Sequence, residues 1–313
     1  MPCKNEIDLL PITLKVISQY CDYIIISDQM SDDGSREVYK QFPKVKVIDN
    51  NRIGHSNQVR WDLLAEARKI EGSNLIISLD ADEFIPPSVF KKFIESETFE
   101  PGKGFKFPWI QLWRSIYKYN DAGVWKNNFK PIAWVDDRLN EYSKKFIIND
   151  HTSRIPDAYL KRCKTVKDVP IIHLQWVYWN KTQIKQAWYL CSELIKNPDN
   201  YSKINETYST VKECAGLKLK EAPKEWLLNS GISENLEKLP PSWQLGAIID
   251  FFDKHGIEFF EPLQIWHIKE LEDEFIKRVG RKPKSETTSP LVALKRKIKQ
   301  LIINSLKNIK YGF

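Results

Sequence analysis

Asp80 and Asp82 stand two residues apart at the end of an apolar run, Leu75-Ile76-Ile77-Ser78-Leu79. In extended backbone, side chains two apart point to one side, and a pair of carboxylates is a hard oxygen donor set suited to Mg²⁺ or Mn²⁺ carrying a diphosphate. The run is bounded by Asn74 and by Pro86-Pro87 and reads as a buried strand. Its C-terminal end is where open α/β sheets bind ligands. A solvated strand-to-loop junction accounts for Asp-Ala-Asp-Glu equally well, because acidic residues fill turns. The choice between the two rests on what the rest of the chain brings to that end.

The elements that must position the pair follow from the pattern. Apolar spacing predicts a helix over Glu6 to Tyr20, a strand over Asp22 to Asp28, a short helix over Ser35 to Phe42, a strand over Val45 to Ile48 and a helix over Ser56 to Ile70. Strands alternating with helices argue for an α/β fold with a largely parallel sheet. After Pro101-Gly102 the pattern becomes mixed, with strands expected over Gly104 to Trp113, Pro131 to Val135, Lys145 to Ile148 and Val169 to Trp176. Helices are expected over Lys181 to Ile195, Trp243 to Phe252 and Trp266 to Val279. Neither a Gly-x-Gly-x-x-Gly turn nor a Gly-x-x-x-x-Gly-Lys-Ser/Thr loop occurs, so no dinucleotide fingerprint or P-loop explains the sheet.

The 313 residues, 42% of them hydrophobic, suffice for one large or two ordinary domains. Five cysteines, widely spaced and without a Cys-x-x-Cys pair, support neither a disulfide framework nor a zinc knuckle, and a reduced cytoplasmic setting is expected. The first residues lack the apolar stretch of a signal peptide, and no run of about 18 apolar residues appears. The net charge of +7 is concentrated near the end of the chain. From Thr287 onward there is no acidic residue, while Lys295, Arg296, Lys297, Lys299, Lys307 and Lys310 alternate with Leu291, Leu294, Ile298, Leu301, Ile302 and Ile309. Such a basic amphipathic helix suits an anionic membrane surface, and equally a helix packed back on the domain or pairing two copies.

An ordered set of motifs resembles the family 2 glycosyltransferases. Lys4-Asn5-Glu6 is similar to the motif ending that family's first strand, Asp28 to Ser35 to the acidic loop after its second, and Leu79-Asp80-Ala81-Asp82-Glu83 to its Asp-x-Asp motif. Within the family the chain resembles the branch that builds bacterial surface glycans, lipopolysaccharide core included, through Arg138-Leu139, His151 and Ile171-Ile172-His173-Leu174. The likeness thins after about Trp188.

The resemblance implies a GT-A fold, a mixed sheet with helices on both faces, over residues 1–180. Residues 1–95 form its nucleotide half and 96–180 its acceptor half, followed by a helical region over 181–280, a linker over 281–290 and the tail helix over 291–313. It implies a nucleotide-diphosphate sugar as donor, a glycan or glycolipid as acceptor, and Mg²⁺ or Mn²⁺ at Asp80, Asp82 and His173, the metal neutralising the leaving diphosphate. The alternative for His173, flanked by Ile172 and Leu174, is a core histidine, the lesser reading even without the resemblance. Asn5, Glu6 and Asp28 are expected to line the base and ribose, and Arg60 to reach the diphosphate unless it is a solvated helix charge. Arg138 is carried over as a donor contact. Trp109, Trp113, Trp125 and Trp134 offer sugar-stacking surface or aromatic core.

Departures from the family pattern fall where the acceptor is activated. The branch has a Glu after the residue matched by His151, and here Thr152 stands there. Asp150 and His151, then Asp137 and Asp136, are the expected candidates for the base. Gln29 and Met30 replace the Asp and Gly usual after Asp28, and only Met1, Pro2 and Cys3 precede Lys4-Asn5-Glu6, which predicts a very short first strand or an upstream start. The chain therefore reads as a cytoplasmic, membrane-adjacent, metal-dependent and inverting glycosyltransferase, without nucleic acid as partner. The rivals are a sugar-phosphate nucleotidyltransferase, which lacks its expected Gly-rich N-terminal loop here, and a basic membrane- or nucleic-acid-binding protein.

Overall fold

The computed structural model describes residues 1–52, 58–142, 154–208, 217–228, 230, 232 and 242–284. The chain divides into two compact units, the first made of Met1–Asp121, Trp125–Val177 and Leu219–Glu234, the second of Ala122–Val124, Tyr178–Lys218 and Asn235–Phe313.

The first unit opens as the alternation predicts: β1 (Pro2–Cys3), α1 (Leu10–Ile17), β2 (Ile24–Asp28), α2 (Ser35–Tyr39), β3 (Val45–Asp49), α3 (Val59–Ala67) and β4 (Leu75–Ile77). It continues through β5 (Glu83–Phe84), α4 (Pro87–Ser96), β6 (Gly104–Gln111), β7 (Lys118–Asn120), β8 (Phe129–Val135), α5 (Asp157–Leu160), β9 (Cys163–Thr165) and β10 (Ile171–His173). The first helix starts later than its apolar spacing suggests. Glu6 spends its carbonyl on a turn, accepting from the N–H groups of Leu9 and Leu10, and Pro11 then occupies the first helical turn, where a missing N–H costs nothing. The same logic explains α4, unforeseen because Pro86-Pro87 reads as a stop: Pro87 begins the helix, and Phe90 and Phe93 bury its inner face.

Strands β1, β2 and β3 are parallel, in the order β1-β2-β3. The larger sheet runs β4-β8-β6-β10-β5, with β9 also on β6. Since β8 is antiparallel to both β4 and β6, and β10 is parallel to β6, the strands β4, β6 and β10 all end at one edge. This is an α/β fold of the GT-A type, a mixed sheet with a helical region following it. The expected strand over Lys145 to Ile148, the residues Asp150, His151 and Thr152, linker residues 285–290 and tail 291–313 lie outside the described residues.

The second unit holds α6 (Trp179–Lys196), α7 (Tyr201–Thr207), α8 (Trp243–His255) and α9 (Lys269–Val279); β11 (Leu219–Glu221) returns to the first and pairs with β7. In the second unit Leu190, Cys191, Leu194, Ile248, Phe252, Phe260, Leu271 and Phe275 form a single buried cluster. Helix α9 ends at Gly280, whose φ of +78° is the left-handed conformation that closes helices. Among the described residues no helix is long and apolar enough to cross a membrane.

Met30 has φ +52° and is 57% exposed. A left-handed backbone costs a non-glycine residue about 1–2 kcal/mol, offset in part by the greater chain entropy of glycine. Met30→Gly is expected to stabilise the protein by about 0.5–1 kcal/mol, read as a higher midpoint in urea. An unchanged or lower midpoint contradicts the strain.

Candidate donor and metal site

At the shared edge of β4, β6 and β10 the cross-strand register decides which side chains meet. His173 is level with Gln111 on β6 and with Glu83 on β5. Level residues share a face, and so does Trp109, two before Gln111. The indole of Trp109 stacks on His173 at 4.9 Å between ring centroids and 21° between planes, and its N–H donates to Glu83 Oε1 at 2.7 Å. Lys130, near the start of β8, places its ammonium 4.6 Å from the Trp109 ring centroid.

Asp82 is 5% and His173 6% exposed, and Asp82 Oδ2 lies 3.2 Å from His173 Nε2. The segment carrying Asp82 is tied down on both sides: Thr13 on α1 donates its hydroxyl to the Ala81 carbonyl, and Leu174 N–H donates to the Asp82 carbonyl. Asp80 faces elsewhere. Arg154 donates to Asp80 Oδ2 at 2.7 Å and to both carboxylate oxygens of Glu83, which is fully buried and also accepts from the Asp80 N–H. Arg60 reaches the same place from α3, donating to Ser78 Oγ at 2.8 Å with a second nitrogen 3.9 Å from Asp80 Oδ1. Burial opposes ionisation of Asp80, but Arg154 and Arg60 outweigh it and hold the carboxyl below the usual range.

Among the described residues no three His, Cys, Asp or Glu side chains converge to hold a metal. The pair formed by Asp82 and His173 nevertheless fits a divalent ion. Two cis ligands of an octahedral ion at bonds of about 2.1 Å are about 3 Å apart, close to the spacing seen, and Mg²⁺ commonly takes only one or two protein donors beside substrate phosphates and water. Asp80, expected to ligate, has its carboxylate turned to the two arginines.

The other expected donor contacts scatter. Asn5 and Asp32 bond reciprocally, Asn5 Nδ2 donating to Asp32 Oδ1 and Asp32 N–H to Asn5 Oδ1, so Asn5 pins the loop after β2. Glu6 adds to the same loop through its N–H, which donates to Ser35 Oγ. Asp28 is wholly buried and accepts from the Ser31 N–H, Arg36 and the Tyr39 hydroxyl. Burial disfavours its charge, but these donors keep its pKa low. The Asp28 carboxylate thus organises the loop after β2.

Asp137 and Arg138 follow the C-terminal end of β8, beside the start of β4. In the antiparallel pairing of β4 with β8, Leu75 is level with Val135, and Asp136 N–H donates to the Asn74 carbonyl. Asp80 is six steps along the chain from Asn74, a span of at most about 20 Å at about 3.3 Å per residue. Arg138 there donates to the carbonyls of Arg68, Ile70 and Gly72, closing the C-terminal end of α3, where a cation is favoured. Asp136 is clamped by Arg68 through two bonds of 2.9 Å. Asp137 is opposed by burial but receives the Tyr159 hydroxyl, the N–H groups of Leu139 and Asn140 and the Asn140 amide, which bring its pKa down to about 2. It anchors the turn. Trp113 and Trp134, each 1% exposed, are core, leaving Trp109 and Trp125 as half-buried aromatic surface.

Asp137→Asn is expected to keep transfer activity within about threefold while lowering stability at neutral pH. Because the folded pKa is depressed, the contribution of Asp137 is fully present above about 4 and is lost as pH falls through about 2. The melting points of the two proteins therefore converge between pH 4 and 2. Loss of activity without loss of stability rules out the anchoring role.

Glu83, Gln111, Lys130 and Arg154 converge on the site without having been assigned to it, and Trp109, expected as sugar-stacking surface or core, stands among them. Glu83 directly follows the acidic motif and was legible as its neighbour; Arg154 carries no local signal, being 71 residues from Glu83.

The C-terminal edge of this sheet thus brings together an acidic pair, a buried His beside one carboxylate and two arginines beside the other. Residues 1–101 of the 313 match the family model described as Glycosyl transferase family 2. The match spans Asn5, Glu6, Asp28, Arg60, Asp80 and Asp82, and supports a nucleotide-sugar glycosyltransferase in general terms. No curated protein matches the chain.

Proposed function

We propose that the protein transfers a sugar, with inversion, from a nucleotide-diphosphate donor to a glycan or glycolipid acceptor, assisted by Mg²⁺ or Mn²⁺. The observation that carries the reading is the facing of Asp82 Oδ2 and His173 Nε2 across 3.2 Å at the C-terminal edge of the sheet, Asp82 lying within the matched residues 1–101. Asp82 and His173 would hold the ion, which when bound supplies positive charge to the departing diphosphate. Arg60, beside Asp80, is placed to meet a phosphate oxygen. Trp109, with Lys130 at its ring, offers a stacking surface for a sugar, the ammonium adding a hydrogen-bond donor. Asp150 and His151, sequence neighbours of Arg154, keep the assignment as candidate bases. The basic amphipathic pattern of residues 291–313 supports an acceptor presented at an anionic membrane surface.

Titrating UDP, GDP and CDP by calorimetry with and without Mn²⁺ tests the reading. One nucleotide is expected to bind at least tenfold more tightly with the ion, and the corresponding sugar nucleotides to be hydrolysed slowly without acceptor. Metal-indifferent affinity for all three rejects the metal-diphosphate reading.

A further inference from the structure

Gln111 is fully buried on β6, and its Oε1 lies 2.6 Å from His173 Nδ1. The Gln111 amide is oriented with its oxygen toward the ring, and since a carbonyl oxygen only accepts, in this orientation Nδ1–H is the donor. In the neutral imidazole with that proton on Nδ1, the Nε2 lone pair faces the Asp82 carboxylate at 3.2 Å. Two acceptors confronting each other in a buried site repel, and a cation between them reverses the sign of that interaction. Trp109 fixes the plane of the ring by stacking on it, and the parallel register of β6 and β10 sets Gln111 level with His173. Gln111 Nε2 has no hydrogen-bond partner among the described residues, so the Oε1 contact is the one its amide makes there.

We propose that Gln111 is a positioning residue for the divalent ion. It holds His173 in the Nδ1–H tautomer, so that Nε2 presents its lone pair to an ion shared with Asp82. The inference rests on the metal reading given under the proposed function and adds to it the group that orients the nitrogen ligand. Partners of this kind carry about 10–100-fold in metal affinity. A glutamate at the same position keeps an acceptor for Nδ1–H, whereas leucine removes it.

Two measurements test this. In uniformly ¹⁵N-labelled wild-type protein at pH 8, with resonances assigned by comparison with His173→Gln, the ring nitrogens of His173 are expected to show the Nδ1–H tautomer. Finding Nε2–H overturns the proposal whatever any variant does. Separately, binding of Mn²⁺ is followed by its electron paramagnetic resonance signal with UDP, GDP or CDP in turn, for wild type, Gln111→Leu, Gln111→Glu and Asp82→Asn. Affinity is expected to fall about 10–100-fold in Gln111→Leu and to stay within about threefold of wild type, or tighten, in Gln111→Glu. Binding that depends on Asp82 but is unchanged in Gln111→Leu, or lost equally in Gln111→Glu, overturns the role of Gln111 alone. Binding that is identical in wild type and Asp82→Asn overturns the metal reading itself and this inference with it.

Discussion

Arg154→Met is expected to lower the melting temperature by roughly 10 °C at neutral pH. The guanidinium, 15% exposed, bridges Asp80 and the fully buried Glu83. Removing one member of such a pair leaves a buried charge without its partner, which costs about 3–5 kcal/mol, and each kcal/mol moves the midpoint by about 2–4 °C in a domain of this size. Glu83 keeps the Trp109 indole N–H and the Asp80 N–H, so the loss falls short of complete exposure of a bare carboxylate. Arg154→Lys recovers only part of it, since a single ammonium lacks the planar fork that spans two carboxylates. Pairing Arg154→Met with Glu83→Gln is expected to cost less than the sum of the two single changes, the signature of a direct interaction.

The pH dependence of that variant has a definite sign. Asp80 is held below its ordinary range by Arg154 and Arg60 against the effect of burial. A depressed carboxyl contributes stability above its unfolded value, about 4, and loses it as pH falls through the lower folded value. Wild type therefore exceeds Arg154→Met most at neutral pH, and the gap narrows in acid as the freed carboxylates of the variant take up protons. A gap that is constant from pH 7 to pH 3 removes the electrostatic account, and an unchanged melting temperature removes the pair altogether.

Asp82→Asn is expected to leave the melting temperature within a few degrees of wild type and to reduce turnover by about 10²–10³, the range found when a group stabilising developing charge is removed. The substitution conserves shape, and the surrounding backbone bonds, from Leu174 N–H to the Asp82 carbonyl and from Thr13 to the Ala81 carbonyl, do not involve the carboxylate. An amide oxygen beside His173 is a weaker ligand for a hard cation than a carboxylate, so the Mn²⁺ concentration needed for half-maximal rate should rise by at least tenfold. Turnover indistinguishable from wild type at every Mn²⁺ concentration contradicts the assignment. The same change at Asp80 has a different expected profile: Asp80→Asn discharges the salt bridge with Arg154 and shows in stability as well as in rate.

These two expectations divide the acidic motif into a structural half and a chemical half, a division that spacing alone conceals. Asp80 and Asp82 were recognisable as a pair because an apolar run followed by alternating acids is a local pattern, and so were the helices and strands of the first hundred residues. The same locality explains where the pattern misled. Pro86-Pro87 marks a stop and also begins α4, and the apolar spacing from Glu6 does not report that Glu6 gives its carbonyl to a turn.

By itself, then, the sequence determined the alternation of strands and helices, the class of the N-terminal domain and the place of its acidic motif, since periodicity and short motifs are properties of neighbouring residues. Tertiary structure alone decided which groups stand beside that motif. The antiparallel register of β4 with β8 sets Asp137 and Arg138 beside the start of β4. Gln111 and His173 were joined by the parallel register of β6 with β10, and Arg154 was brought to Asp80 and Glu83 across more than seventy residues of chain. Charge, hydrogen bonding and metal geometry act through space over a few ångströms, and it is strand register that sets those distances.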